Sequence, residues 1–170
     1  TLFRSGSYAI KGQKIFISGG DNHFSENIIH LVLARLEGAP KGTKGISLFV
    51  VPKRRQENGQ WVSNEVTSMG LYHKMGQKAT PALHLSFGDK GDSIGYLVGE
   101  PNKGLMYMFQ MMNEARISVG MGAVSVAMAA YLAALDYANE RPQGRLASEK
   151  DPLKPPTLII NHPDVQRMLL

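Results

Sequence analysis

The sequence predicts an α+β fragment, an antiparallel β-barrel or sandwich followed by the long helices of an incomplete up-down bundle, and two observations carry that reading. Before Gly99, short runs of β-formers are separated by Gly, Pro and Asn-Gly breaks with no helix between them, the punctuation of antiparallel strands. From Leu105 to Asn139 there is no proline, and a long run of Met, Ala and Leu favours helix. The change of pattern divides the chain into a β-domain over 1–100 and a helical domain over 101–170.

Taken in order, "SYAIKGQKIFIS" reads as two strands around Lys11-Gly12. "IIHLVLARL" is a strand with Val32 and Ala34 on one face, and "KGISLFVVP" is a third, stopped by Pro52 because proline cannot donate to a ladder. "GQWVSNEV" and "PALHLSFGD" supply further strands. After "GEPNKG" the helix begins, and Arg141-Pro142 and Gly144 mark its end. A Pro-rich loop, "DPLKPPT", leads to "NHPDVQRMLL", a second helix start with Asn161 or His162 as cap, Pro163 at an early position and Asp164 in the first turn, as helix N-termini prefer. So short a helix with an apolar end is marginal in water, so the chain is expected to be a piece of something longer. The opening "TLFRSG" has no basic-then-apolar leader and is read as a cut end.

Composition excludes several classes. Hydrophobic residues are 43% and charged residues 19% of 170, ordinary for a globular protein. Nineteen Lys+Arg against fourteen Asp+Glu leave +5, scattered except for Lys53, Arg54 and Arg55, which precede a turn expected at Asn58-Gly59. That triplet is read as a solvated loop rather than a phosphate or nucleic-acid site. With no cysteine there can be no disulfide, thiolate metal site or cysteine nucleophile. The five histidines lack ligand spacing, so no metal is expected. No P-loop, GxGxxG after a strand, GxSxG or HExxH occurs. Ile117 to Leu135 carries no charge and approaches the roughly 20 residues of a membrane span. Its Ala, Gly and Ser content makes lipid partition marginal, and it is read as a buried bundle helix.

One stretch points to chemistry. In "KIFISGGD", Phe16 and Ser18 lie two apart on a strand and should share a face. An aromatic ring and a hydroxyl there could cover a flat polar heterocycle and bond its edge, with Gly19 and Gly20 allowing close backbone approach. From these residues alone, a core Phe beside a satisfied Ser is the favoured reading.

The order and spacing of "YAIKGQKIFISGGD", "IIHLVLAR", "GISLFVVPK", "LVGEPNKGL" and "MMNEARISVGMGAVSVA" resemble the acyl-CoA dehydrogenase family. The resemblance covers essentially the whole chain, from the later part of the family's middle β-domain into the start of its C-terminal helical domain. "ISGGD", "ENIIHLVLARL", "KGISLFVVPK" and "MMNEARISVG" are most similar to the branch that oxidises 3-(methylthio)propanoyl-CoA and related short thioesters.

The resemblance implies an oxidoreductase of fatty acid metabolism that uses FAD, with Phe16, Ile17 and Ser18 against the isoalloxazine ring. Many relatives carry Trp and Thr where this chain has Phe16 and Ser18; the aromatic cover and the hydroxyl persist, but no indole N–H remains. It implies that Arg116 stands beside the active site and that Asn113, often Asp in relatives, helps hold the CoA or thioester end. Without the resemblance, Arg116 reads as an ion-pair partner of Glu114 or Asp136. "ERPQGR" resembles the segment in which an Arg and a polar residue two later reach the FAD pyrophosphate of a neighbouring subunit. Arg141 and Gln143 take those positions, with Arg145 as a helper, and a homo-oligomer, dimer or tetramer, is implied. The partners implied are an acyl-CoA substrate and an electron-transfer flavoprotein, with no membrane or nucleic-acid role.

The reaction removes an α-proton from a thioester while hydride leaves the β-carbon, so a carboxylate must stand at the α-carbon. In most relatives that base lies outside the region matched here. Some place it just before the Arg, where this chain has Ala115, and Glu114 is about 100° away around a helix. No catalytic base is therefore expected in these residues, and the isolated segment is expected to be inactive. A DNA-associated flavoprotein of the same fold and an acyl-CoA oxidase are the alternatives. The compartment expected is the bacterial cytoplasm, or the mitochondrial matrix in a eukaryote.

Overall fold

The computed structural model describes residues 6–170, and the reading of "TLFRSG" as a cut end falls largely outside them. Contacts group the chain into two compact units, Thr1–Met111 and Met112–Leu170. The division falls inside the long helix, whose first residues belong to the β unit.

Nine strands build the first unit: β1 (Ser7–Ile10), β2 (Gly12–Ser18), β3 (Ile29–Arg35), β4 (Ile46–Pro52), β5 (Arg54–Glu57), β6 (Gln60–Ser63), β7 (Val66–Leu71), β8 (Ala82–Phe87) and β9 (Ser93–Leu97). They form a four-stranded sheet ordered β1-β9-β4-β3, a three-stranded sheet ordered β2-β8-β7 and the two-stranded ribbon β5-β6. Every pairing is antiparallel. Ile10, Val32, Phe49 and Val51 from the first sheet pack with Val66, Leu83, Leu85 and Phe87 from the second in one core cluster. The arrangement is a sandwich, and no closed barrel forms among the described residues. Val32 is buried, and Ala34 packs beside it at the core margin, as the period-two alternation of β3 requires.

One feature goes beyond the sequence reading and one departs from it. The strands on either side of Lys11-Gly12 do not pair with each other: β1 pairs with β9 and β2 with β8, so the chain changes sheets there, with Gly12 at φ 139°. The basic triplet is not a loop. Arg54 and Arg55 open β5, which pairs with β6 through Asn58 (φ 49°) and Gly59 (φ 78°), the pair of left-handed residues that a tight two-residue hairpin requires.

Asn64 is fully buried between β6 and β7. Its Nδ2 donates to the carbonyls of Pro52 at 2.6 Å and Ile94 at 2.9 Å, and its Oδ1 accepts from the Ile94 N–H at 2.8 Å. One side chain thus bonds the backbone of two strands, β4 and β9.

Helix α1 (Gly104–Glu140) starts against β4, since a Cβ at Gly104 would come within 2.4 Å of the Ser47 carbonyl carbon. Only glycine fits there. Asn102 N–H donating to Ser47 Oγ at 2.8 Å fixes the same junction. The expected set of long helices is reduced to this one and the seven-residue α2 (Pro163–Leu169), and no bundle forms among the described residues. From Phe109 to Ala134 every residue of α1 is exposed, so the expected burial of Ile117–Leu135 does not occur within this chain. An 18-residue window of α1 reaches a mean hydropathy of 1.8, enough by length and composition to cross a membrane. A helix that is apolar all round is one that finds its cover elsewhere.

Candidate functional site

The first candidate surface is the end of β2. Between Lys14, opposite Leu85, and Ile17, opposite Leu83, β2 has two residues, Ile15 and Phe16, where β8 has one, His84. This is a β-bulge, which leaves one residue unpaired and re-aims its neighbours. Phe16 takes the strain, at φ 57°, a conformation that costs a bulky residue about 1–3 kcal/mol and tends to cluster at functional sites. Its ring is 66% exposed and lies 4.5 Å from the ring of Tyr72. Ser18 is exposed as well, while Ile17 turns into the core margin.

Phe16 and Ser18 are thus both outward, yet strand alternation alone does not account for it, since the bulge exposes Ile15 too. Gly19 follows at φ 63°, its N–H donating to the Pro81 carbonyl at 2.8 Å, and Tyr72 N–H donates to Ala82 O at 2.8 Å. The result is an open aromatic and hydroxyl surface on a rigid strand end, a fit for a planar heterocycle. Ile17 offers such a ligand only its backbone. Tyr72 was not legible in the sequence, because its approach to Phe16 depends on β7 and β2 both pairing with β8.

Behind this loop, Asp21 is ion-paired with Lys53, and Arg55 with Glu57. Two of the three basic residues are therefore neutralised locally. His30 lies nearby on β3, its Nε2 buried without a hydrogen-bond partner and its ring edge-on to Phe87 at 5.8 Å. Burial pushes its pKa below the ordinary 6.5; Asp21 opposes the shift, and Lys53 adds to it. His84 Nε2 meets Gln13 Oε1 at 2.9 Å on the sheet surface.

The second unit holds the other candidates. Asn113 and Arg116 stand one turn apart on α1, with Arg116 Nη1 donating to Asn113 Oδ1 at 3.4 Å. Both are exposed. Glu114 and Ala115, between them, face other directions around the helix.

Past the end of α1, Arg141 and Gln143 lie on an extended segment that pairs with 157–159. Gln143 N–H donates to Thr157 O at 2.8 Å, Thr157 N–H to Gly144 O at 3.0 Å and Ile159 N–H to Arg141 O at 2.9 Å, around the bridge between Pro142 and Leu158. Their side chains, two residues apart on an extended segment, share a side. Arg145 serves otherwise: its Nε donates to Lys154 O at 2.8 Å and its Nη2 to Pro152 O at 2.6 Å. It clamps the Pro-rich loop, which the Lys154–Glu149 pair at 2.6 Å also holds. That ammonium, with the Asp151 N–H, lowers the Glu149 carboxyl pKa.

Comparison with known proteins places the chain in a family. Residues 102–154 match the family model described as acyl-CoA dehydrogenase, C-terminal domain. The chain is 48% identical to 3-methylmercaptopropionyl-CoA dehydrogenase of Ruegeria pomeroyi over 97% of its own length and 28% of that protein's. Among solved structures it superposes on Caenorhabditis elegans ACDH-11, crystallised in complex with C11-CoA, with TM-score 0.73 at 23% identity over 99% of this chain and 25% of that one. It superposes on a Bacillus anthracis acyl-CoA dehydrogenase complexed with FAD with TM-score 0.67 at 25% identity, over 99% and 24% of the two chains. The chain thus spans about a quarter of the length of these relatives. Its strand order, its long helix and its similarity over nearly every residue make it a segment of the acyl-CoA dehydrogenase family.

Proposed function

We propose that this chain is the flavin-facing β surface and first long helix of an FAD-dependent acyl-CoA dehydrogenase that oxidises 3-(methylthio)propanoyl-CoA or a related short thioester. The observation that carries the reading is Phe16, a strained, exposed aromatic beside an exposed Ser18 on a rigid strand end, in a chain of this family. The relative complexed with FAD supports the cofactor, and the Ruegeria relative supports the substrate.

When bound, FAD supplies the hydride acceptor. Phe16 would cover part of the flavin and keep water from it, and Ser18 would offer it a hydroxyl. Ile17 contributes backbone groups. On α1, Arg116, oriented by Asn113, faces the thioester end of the substrate, where a fixed guanidinium holds an acceptor oxygen. Arg141 grips pyrophosphate oxygens with its planar fork, and Gln143 adds a neutral donor. Because that pyrophosphate belongs to a neighbouring subunit, the protein is a homo-oligomer. The α-proton goes to a carboxylate outside these residues, since Ala115 has no acid and Glu114 points elsewhere. Electrons pass on to an electron-transfer flavoprotein, in the bacterial cytoplasm or mitochondrial matrix.

The test is the anaerobic visible spectrum of the full parent protein. A yellow protein that bleaches with 3-(methylthio)propanoyl-CoA, and less readily with butanoyl-CoA, is the expected result. A yellow protein that bleaches with neither thioester overturns the activity, and a colourless one overturns the flavin role of Phe16 and Ser18.

A further inference from the structure

His162 occupies the N-cap position of α2, yet its side chain makes no capping bond. Its Nε2 lies 2.8 Å from the carbonyl oxygen of Gln143, nineteen residues earlier, and donates to it, because a carbonyl can only accept. The ring passes 3.6 Å from where a Cβ on Gly144 would stand, and Gly144 is at φ 67°. Four other backbone groups of this segment are engaged: Arg141 N–H with Tyr137 O, Arg141 O with Ile159, Gln143 N–H with Thr157 and Gly144 O with Thr157. Pro142 has no N–H to offer. The imidazole closes the remaining carbonyl of Gln143, so the backbone from 141 to 144 is held from both sides while the Arg141 and Gln143 side chains are left for a ligand.

We infer that His162 is a positioning residue that sets the Arg141 and Gln143 side chains for diphosphate binding, a role that rests on the pyrophosphate reading above. A segment ordered in advance loses less conformational freedom when it binds.

The test is FAD affinity of the full parent apoprotein, read from the quenching of flavin fluorescence, with the melting temperature of the apoprotein measured alongside. His162→Phe keeps the ring and removes the donor; it should weaken FAD about fivefold, because the segment must then be ordered on binding, and lower the melting temperature by no more than the loss of one exposed hydrogen bond does. His162→Gln returns a donor at similar reach and should restore most of the affinity. Arg141→Ala tests the pyrophosphate reading by itself and should weaken FAD more than about tenfold, as loss of a charged hydrogen bond does. Joined to it, His162→Phe should add little. Full affinity in His162→Phe beside a weakened Arg141→Ala overturns the role of His162 and leaves that of Arg141 standing, as does full additivity of the two. Unchanged affinity in Arg141→Ala overturns both.

Discussion

The β unit and the helical unit are both rich in apolar residues, but they bury them differently. Between the sheets, Phe49, Val51, Leu85 and Phe87 are at most 2% exposed. Among the described residues of the second unit, only Ala138 is buried among hydrophobics, while Ile117, Val119, Val124 and Val126 are each at least 67% exposed. Strands with one apolar face can satisfy one another within about a hundred residues. A helix that is apolar on all faces cannot be covered by a seven-residue neighbour. Apolar content therefore does not measure self-sufficiency; the direction in which the side chains point does.

The sharpest way to break that contrast is a matched pair of substitutions. Phe49→Ala in the chain described here should cost about 3–5 kcal/mol in urea unfolding, from lost burial and the cavity left behind. Val126→Ser should stay within about 0.5 kcal/mol, as exposed positions do. Equal costs would mean that α1 is covered in solution.

Asn64 tests whether the β unit depends on polar as well as apolar burial. Asn64→Ala strands the Ile94 N–H and the carbonyls of Pro52 and Ile94, and should cost at least about 2 kcal/mol in the same assay. A loss below about 0.5 kcal/mol would assign the sheet junction to apolar packing alone.

The smallest effect expected is that of His30. Its folded pKa lies below the ordinary 6.5 because burial disfavours the cation, so the unfolded chain takes up its proton first. The contribution of neutral His30 is complete above the unfolded value and is lost as pH falls through it towards the folded one. Melting temperatures from about pH 8 to about pH 5 should therefore fall less steeply in His30→Gln than in the parent. Parallel profiles would assign the acid loss to other groups.

Much of this was legible in the residues themselves. The alternation of β3, the stop at Pro52 and the proline-free stretch after Gly104 are local patterns, and the order of motifs carried the family. Strands β7 and β9 were not singled out. "VTSMGL" and "SIGYL" are short and broken by glycine, and they become strands only because β8, and β1 with β4, offer ladders to them. The turn at Asn58-Gly59 was legible, but the charged stretch before it looked like loop because Arg54 and Arg55 extend only by pairing with Val62 and Ser63 of β6.

The sequence by itself determined that β2, β3 and β4 extend, that the stretch after Gly104 coils into helix, and which chemical groups Phe16, Ser18, Asn113, Arg116, Arg141 and Gln143 carry. Only the tertiary structure decided the bulge that throws Phe16 outward against Tyr72, the change of sheet at Gly12, the three-way bonding of Asn64 and the reach of His162 to Gln143. Each of these joins residues many positions apart. Such contacts follow from register and strand order, which depend on every pairing in the sheet at once rather than on the period of any one segment.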